Sequence, residues 1–165
     1  PGACPFMGTA NTMCAMAELL GLSPHGNASV RSQSKEWHGM ARQAGAAIAQ
    51  AVKEEKRPSK FITEKSFENV VSYMMATGGS TNRLLHIPAI ANQIGIDILP
   101  EKFDQISREV PVISAIYPNH PSYTMEEFEQ AGGICAVVKE LLKAEKIHGE
   151  VEGMFGSIKE KAEKG

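Results

Sequence analysis

Cysteine is scarce in this chain: three in 165 residues, at Cys4, Cys14 and Cys135, too dispersed and odd in number for a disulfide framework. A reducing cytoplasm is the expected compartment. Excess charge is also missing. With 17 Lys and Arg against 19 Asp and Glu the net charge is -2, so no basic field selects nucleic acid or an anionic membrane surface. No apolar run approaches the ~20 residues of a membrane span, and no signal-peptide pattern opens the chain. Cys-x-x-Cys, His-Glu-x-x-His, a P-loop and Gly-x-Gly-x-x-Gly are all lacking. The histidines, His25, His38, His86, His120 and His148, are scattered. No internal repeat or low-complexity tract occurs. What remains is an ordinary globular composition, 42% hydrophobic and 22% charged, with length enough for one domain and a real core.

Helical signals dominate. A first helix is expected from about Thr9 to Leu20, closed by Gly21, with Met13, Met16, Ala17 and Leu20 on one face. Ser34 can cap a second, in which Trp37, Met40, Ala41, Ala44, Ile48, Ala51 and Val52 recur at helical spacing before Pro58 stops it. Thr63 starts a third, with Ile62 and Phe67 at staple spacing and Phe67, Val70, Val71 and Met74 as its buried stripe. A fourth, through Leu84, Leu85, Ile87, Ile90 and Ile94, is apolar on most sides and should be enclosed, with Pro88 kinking it. Pro100 opens a short helix with Phe103 and Ile106. The β-branched run 110–117 is the clearest strand candidate. Thr124 and Glu127 form a capping box, Ala131-Gly132-Gly133 breaks that helix, and Ile134, Val137, Val138, Leu141 and Leu142 carry the last one. Residues 1–150 thus read as the folded body, and 151–165 as a polar tail or a truncated continuation. The pattern is predominantly α, and the lone strand suggests layers on a sheet completed elsewhere.

Two loops carry the chemistry. The first presents Cys4 in a Gly- and Pro-containing turn that runs straight into a helix start bearing Thr9, Asn11 and Thr12. Helix-start N–H groups favour an anion or a thiolate there, making Cys4 a candidate metal ligand or nucleophile. A buried free thiol in a tight turn explains the same residues. The second loop, Gly78-Gly79-Ser80-Thr81-Asn82, opens the fourth helix one turn before His86. It suits a carboxylate or phosphate. Taken alone, it is read as one helix's C-cap meeting the next helix's N-cap. The loops also permit a non-catalytic reading, an anion-binding or assembly domain.

Residues 2–13, Gly-Ala-Cys-Pro-Phe-Met-Gly-Thr-Ala-Asn-Thr-Met, followed by Glu18-Leu19-Leu20-Gly21-Leu22 and Gly26-Asn27, resemble the third cysteine motif of the dihydroxy-acid dehydratase/phosphogluconate dehydratase family. The run from Ala76 to Asn82 with His86 resembles its central motif. Arg108-Glu109-Val110-Pro111, Tyr117-Pro118-Asn119 and Met125 to Phe128 before Ala131-Gly132-Gly133 follow in family order. The resemblance implies a hydro-lyase, its N-terminal domain an α/β/α sandwich, that converts a 2,3-dihydroxy carboxylic acid into a 2-oxo acid. It implies an iron–sulfur cluster (2Fe-2S or 4Fe-4S) on three cysteines, a Mg²⁺ ion, a small hydroxy-acid substrate and a homodimer, with no nucleic-acid or membrane partner. Only Cys4 maps onto a cluster ligand. Thr9, Asn11, Gly78, Gly79, Ser80, Thr81, Asn82 and His86 are substrate- or site-loop candidates, and no catalytic residue maps here. Cys14 and Cys135 carry no family ligand role and read as core packing. Branched-chain dihydroxy acids are the leading substrate class, sugar acids or 6-phosphogluconate the alternative. Because the chain starts at Pro1 without Met, the expectation is an internal fragment, inactive alone.

Overall fold

A computed structural model describes residues 3–163. Its centre is a helix whose every turn is wrapped by neighbours. This helix, α3 (Glu64–Thr77), begins in a reciprocal cap in which Thr63 and Ser66 satisfy each other's backbone N–H. It ends where Gly78 takes the left-handed conformation, φ 66°, and returns its N–H to Met74 O. Phe67, Val70, Val71, Met74 and Ala76 are wholly buried. Around it pack α1 (Thr9–Leu19), α5 (Pro100–Glu109) and α7 (Gly133–Lys143). Helix α4 (Arg83–Asn92) lies against α1, while α6 (Met125–Gln130) and α8 (Ile158–Glu163) lie against α7. Burying the apolar faces of these helices on one another supplies the dominant stabilisation.

Two expectations are corrected, the strand over 110–117 and the enclosure of the fourth helix. The run 110–117 is no strand, and the described residues contain none. Ile113 N and Ser114 N both donate to Ala76 O, at 2.8 and 3.1 Å, so this segment caps the end of α3 instead of joining a ladder. The second helix, α2 (Lys35–Lys53), forms under its Ser34 cap, but Ala51 is its sole buried residue. Ile48 and Val52 stand 56% and 72% exposed, because nothing among the described residues covers the stripe that the sequence pattern lays out. Helix α4 is not enclosed either: Ile87 and Ala91 are buried, whereas Leu84 and Leu85 face outward. Residues 151–163, expected as a polar tail or a truncated continuation, contain α8, docked on α7 with Ile158, Lys161 and Ala162 buried. The predominantly helical class holds.

Lys161 also ties α8 to α1. Its ammonium, fully buried, donates to Glu18 Oε1 at 2.8 Å and to Glu18 O at 3.3 Å. Glu18, buried as well, also accepts from Gly26 N at 2.8 Å and Ala28 N at 2.9 Å. Further hydrogen bonds to the carboxylate are what a buried pair needs, and both Glu18 oxygens have them. Beside it Gly21 (φ +72°) and Gly153 pass so closely that a Cβ on Gly21 would come within 2.4 Å of Gly153 Cα.

Candidate functional site

The Cys4 loop is held from two directions. From below, the Asn11 side chain, 1% exposed, accepts from Ala3 N at 2.7 Å through Oδ1. Its Nδ2 donates to Cys4 O at 2.8 Å and to Phe6 O at 2.6 Å. From one side, Met7 N donates to Tyr117 O at 2.9 Å and Met125 N to Pro5 O at 3.0 Å. Phe6 rests on the Tyr117 ring, centroids 4.8 Å apart. The Tyr117–Pro118 peptide is cis. Cys4 itself is half-buried and free, its Sγ 3.4 Å from Phe6 O and 3.6 Å from Asn11 Nδ2.

Behind the loop, the start of α1 meets the Gly78–Asn82 loop, which the chain brings back across about seventy positions. Thr9 Oγ1 and Ser80 Oγ are 3.1 Å apart, and Asn82 Nδ2 donates to Thr9 Oγ1 at 2.7 Å. Ser80 N donates to the buried Thr12 Oγ1 at 3.0 Å. Gly79 has to be small: an added Cβ would meet Thr12 Cγ2 at 3.0 Å and Met74 Sδ at 3.1 Å. Two helix starts, α1 and α4, are thereby joined by their own hydroxyl and amide side chains, and the positive ends of both helices lie at one polar patch. The two loops that were singled out separately therefore form one structure.

Of the sequence candidates, Thr9, Asn11, Gly78, Gly79, Ser80 and Asn82 take part in this junction directly. Thr81 is exposed beside it. His86 N completes the first turn of α4 on Asn82 O, and its half-buried ring enters none of these bonds. Two further residues belong here. Asn119 Nδ2 donates to Gly78 O, tying in the Tyr117-Pro118-Asn119 turn. Arg83 Nη1 donates to Gly79 O and, at 3.4 Å, to Met74 O. The signal for Arg83 was a cation four residues past a Gly-Gly helix end, where it can bind the last carbonyls.

Cys14 shares the helix with Asn11. Burial first, then Glu18 and Cys4, push its thiol above the ordinary range, which disfavours it as a thiolate ligand. Among the described residues no group of three His, Cys, Asp or Glu side chains is arranged to hold a metal. Cys4 thus offers one sulfur on a rigid support, and that is the extent of the donor set. No helix among the described residues is long and apolar enough to cross a membrane.

The Cys4 loop, the Gly-Gly-Ser-Thr-Asn helix start and the Tyr-Pro-Asn turn all lie in the stretch that matches a dehydratase N-terminal family. Residues 1–161 match the family model described as dihydroxy-acid/6-phosphogluconate dehydratase N-terminal, and the chain belongs to that family. It is 42% identical to the dihydroxy-acid dehydratase of Methanosarcina barkeri over 147 residues, which is 89% of this chain and 26% of that protein. To the dihydroxy-acid dehydratase of Thermus thermophilus it is 42% identical over 156 residues, 94% of this chain and 28% of that one. The Prochlorococcus marinus enzyme of the same name is 43% identical over 155 residues, again 94% and 28%. The chain spans about a quarter of the length of the relatives it matches.

Proposed function

We propose that this chain is the third-cysteine portion of a dihydroxy-acid dehydratase, a hydro-lyase that takes a 2,3-dihydroxy carboxylic acid to a 2-oxo acid. The observation that carries the reading is the junction itself: Cys4 is fixed by Asn11 on a helix start that is bolted to the Gly78–Asn82 loop. The relatives' shared name, dihydroxy-acid dehydratase, favours that branch of the family over the phosphogluconate one.

In this reading Cys4 is one of three cysteine ligands of an iron–sulfur cluster. Such a cluster supplies a Lewis-acidic iron, which makes hydroxide a better leaving group. The residues here fit one corner of it. Cys4 presents a half-buried sulfur, and the loop that carries it is ordered by bonds from Asn11, Tyr117 and Met125. The side chains of Thr9, Ser80, Thr81 and Asn82, gathered where α1 and α4 begin, suit a carboxylate or hydroxyl of the substrate. The remaining cluster ligands, the Mg²⁺ site and the proton-abstracting base are assigned to other parts of the enzyme, so the 165 residues alone should be inactive. A homodimer in the cytoplasm belongs to the same reading.

The test uses the product of the intact reading frame, reconstituted anaerobically with iron and sulfide. Cys4→Ser is expected to lose the visible cluster absorbance and turnover of a 2,3-dihydroxy carboxylate together. A Cys4→Ser enzyme that keeps both would overturn the assignment. So would a stoichiometric cluster with dehydratase turnover on the 165 residues alone, which would refute their incompleteness.

A further inference from the structure

The Asn11 carboxamide has more acceptors around it than protons to give. Nδ2 carries two hydrogens and faces three acceptors: Phe6 O at 2.6 Å, Cys4 O at 2.8 Å and Cys4 Sγ at 3.6 Å. The two carbonyls take both protons, leaving the sulfur as the longer, third neighbour. Cys4, as a thiol, donates in turn to Phe6 O at 3.4 Å. Phe6 O therefore collects protons from Asn11 and from Cys4 at once.

In that arrangement Sγ is a donor, and the nearest amide protons are engaged by two carbonyls. A cysteine binds a metal only after losing its proton. Without the S–H hydrogen, Sγ and Phe6 O are two acceptors 3.4 Å apart, and their contact turns repulsive. The amide group already beside the sulfur is Asn11 Nδ2, held from beneath by the bond that Ala3 N makes to its oxygen. We infer that Asn11 is a positioning residue for the Cys4 sulfur: when Cys4 binds a metal, Asn11 re-aims one amide proton from a loop carbonyl to the thiolate. The exchange balances, because the thiol proton leaves to solvent, one metal–sulfur bond forms, and one N–H···O bond becomes N–H···S. Only the identity of the metal rests on the dehydratase reading. If it is iron in a cluster, the added N–H···S bond withdraws charge from sulfur and raises the reduction potential.

Methylmercury provides the first test, since it binds a single thiolate. In ¹⁵N–¹H spectra of the 165-residue chain, the Asn11 side-chain pair is identified through its contacts to Ala3 and Phe6 protons. Loading of Cys4 is followed by peptide mass. One proton of the pair should shift on loading and stay still in Cys4→Ser under the same treatment. A pair that does not move while Cys4 is loaded, or that moves equally in Cys4→Ser, overturns the inference. The second test is the midpoint potential of the intact, cluster-bearing enzyme. Asn11→Asp should shift it negative, and Asn11→Ser, smaller and uncharged, should do the same if the aspartate expels the cluster. An unchanged potential with the cluster retained also overturns it. If the unsubstituted intact enzyme binds no cluster, the proposed function fails instead, and the methylmercury arm still decides the role of Asn11.

Discussion

Replacing Lys161 by Met isolates the buried contact between the end of the chain and α1. Both partners of the Lys161–Glu18 pair are fully buried, so Lys161→Met leaves a carboxylate in the interior without its counter-ion. Breaking such a pair from one side costs about 3–5 kcal/mol. The lower end applies here, because Glu18 keeps the N–H groups of Gly26 and Ala28 at 2.8 and 2.9 Å. For a chain of this size about 3 kcal/mol corresponds to a fall in Tm of roughly 6–12 °C. Urea unfolding followed by far-UV circular dichroism is the appropriate assay. The only Trp, Trp37, is 38% exposed on α2, outside the main helix packing, and would report poorly on the core. Glu18→Gln combined with Lys161→Met removes the stranded charge and should be more stable than Lys161→Met alone. A Lys161→Met protein within ~0.5 kcal/mol of the original, or a double variant no better than the single, would refute the reasoning.

Three other outcomes follow from the same geometry. Thr12→Val keeps the shape of the side chain but leaves Ser80 N without its acceptor, so stability should drop by about 1–3 kcal/mol. Amide exchange at Ser80 should quicken, and unchanged exchange would contradict the bond. Gly21→Ala meets both a left-handed backbone and the Gly153 main chain, and should cost about 2–4 kcal/mol by urea unfolding; a neutral effect would mean the two segments are not in contact. Glu68 bears on acid stability. Burial raises its carboxyl pKa, but the hydrogen bonds from Lys102 and His148 outweigh that and hold it below its ordinary value of 4.5. The unfolded chain therefore takes up this proton first as pH falls, and the stability that Glu68 contributes, complete above 4.5, is lost progressively below it. Urea midpoints between neutral pH and 3.5 should fall less steeply for Glu68→Gln than for the original chain, and parallel curves would remove Glu68 from the acid response.

The sequence disclosed helices better than their surroundings. Ser34, Thr63 and Thr124 mark true helix starts because a cap is a contact within four residues, written entirely in local sequence. The run 110–117 misled because β-branched residues record fitness for a half-buried surface, and a strand exists only if a partner strand does. Here the available acceptor was Ala76 O at the end of α3. Helix α2 was legible as a helix from its period, but a period states which face could be buried and not whether anything buries it. Lys161 gave no signal at all, since the carboxylate that allows it inside is 143 positions away. The same distance effect governs the site. Each loop could be singled out from its own residues. Their union through Thr9, Ser80 and Asn82 is a property of the packing of α1 against α3 and α4.

That packing also explains why a loop of six residues can serve as a ligand platform. Helix α1 is fixed at both ends: Thr12 and Thr9 tie its start to the Gly78–Asn82 loop, and Glu18 ties its last turn to Lys161. Asn11 stands on this anchored helix, so the backbone that carries the side chain holding Cys4 cannot shift without moving a core helix. The loop's own backbone is then claimed by Tyr117 and Met125, which belong to a separate turn and a separate helix. Ordering a loop costs about 1–2 kcal/mol of backbone entropy per residue, and here folding meets that cost before any ligand arrives. If Cys4 is the metal ligand proposed above, binding energy there would go into the metal–sulfur bond and the local exchange at Asn11 rather than into shaping the loop. The consequence is specific: Cys4→Ser should perturb amide signals only near residues 3–8 and Asn11, and a spectrum altered across α1 would mean that the sulfur, not the fold, sets the loop.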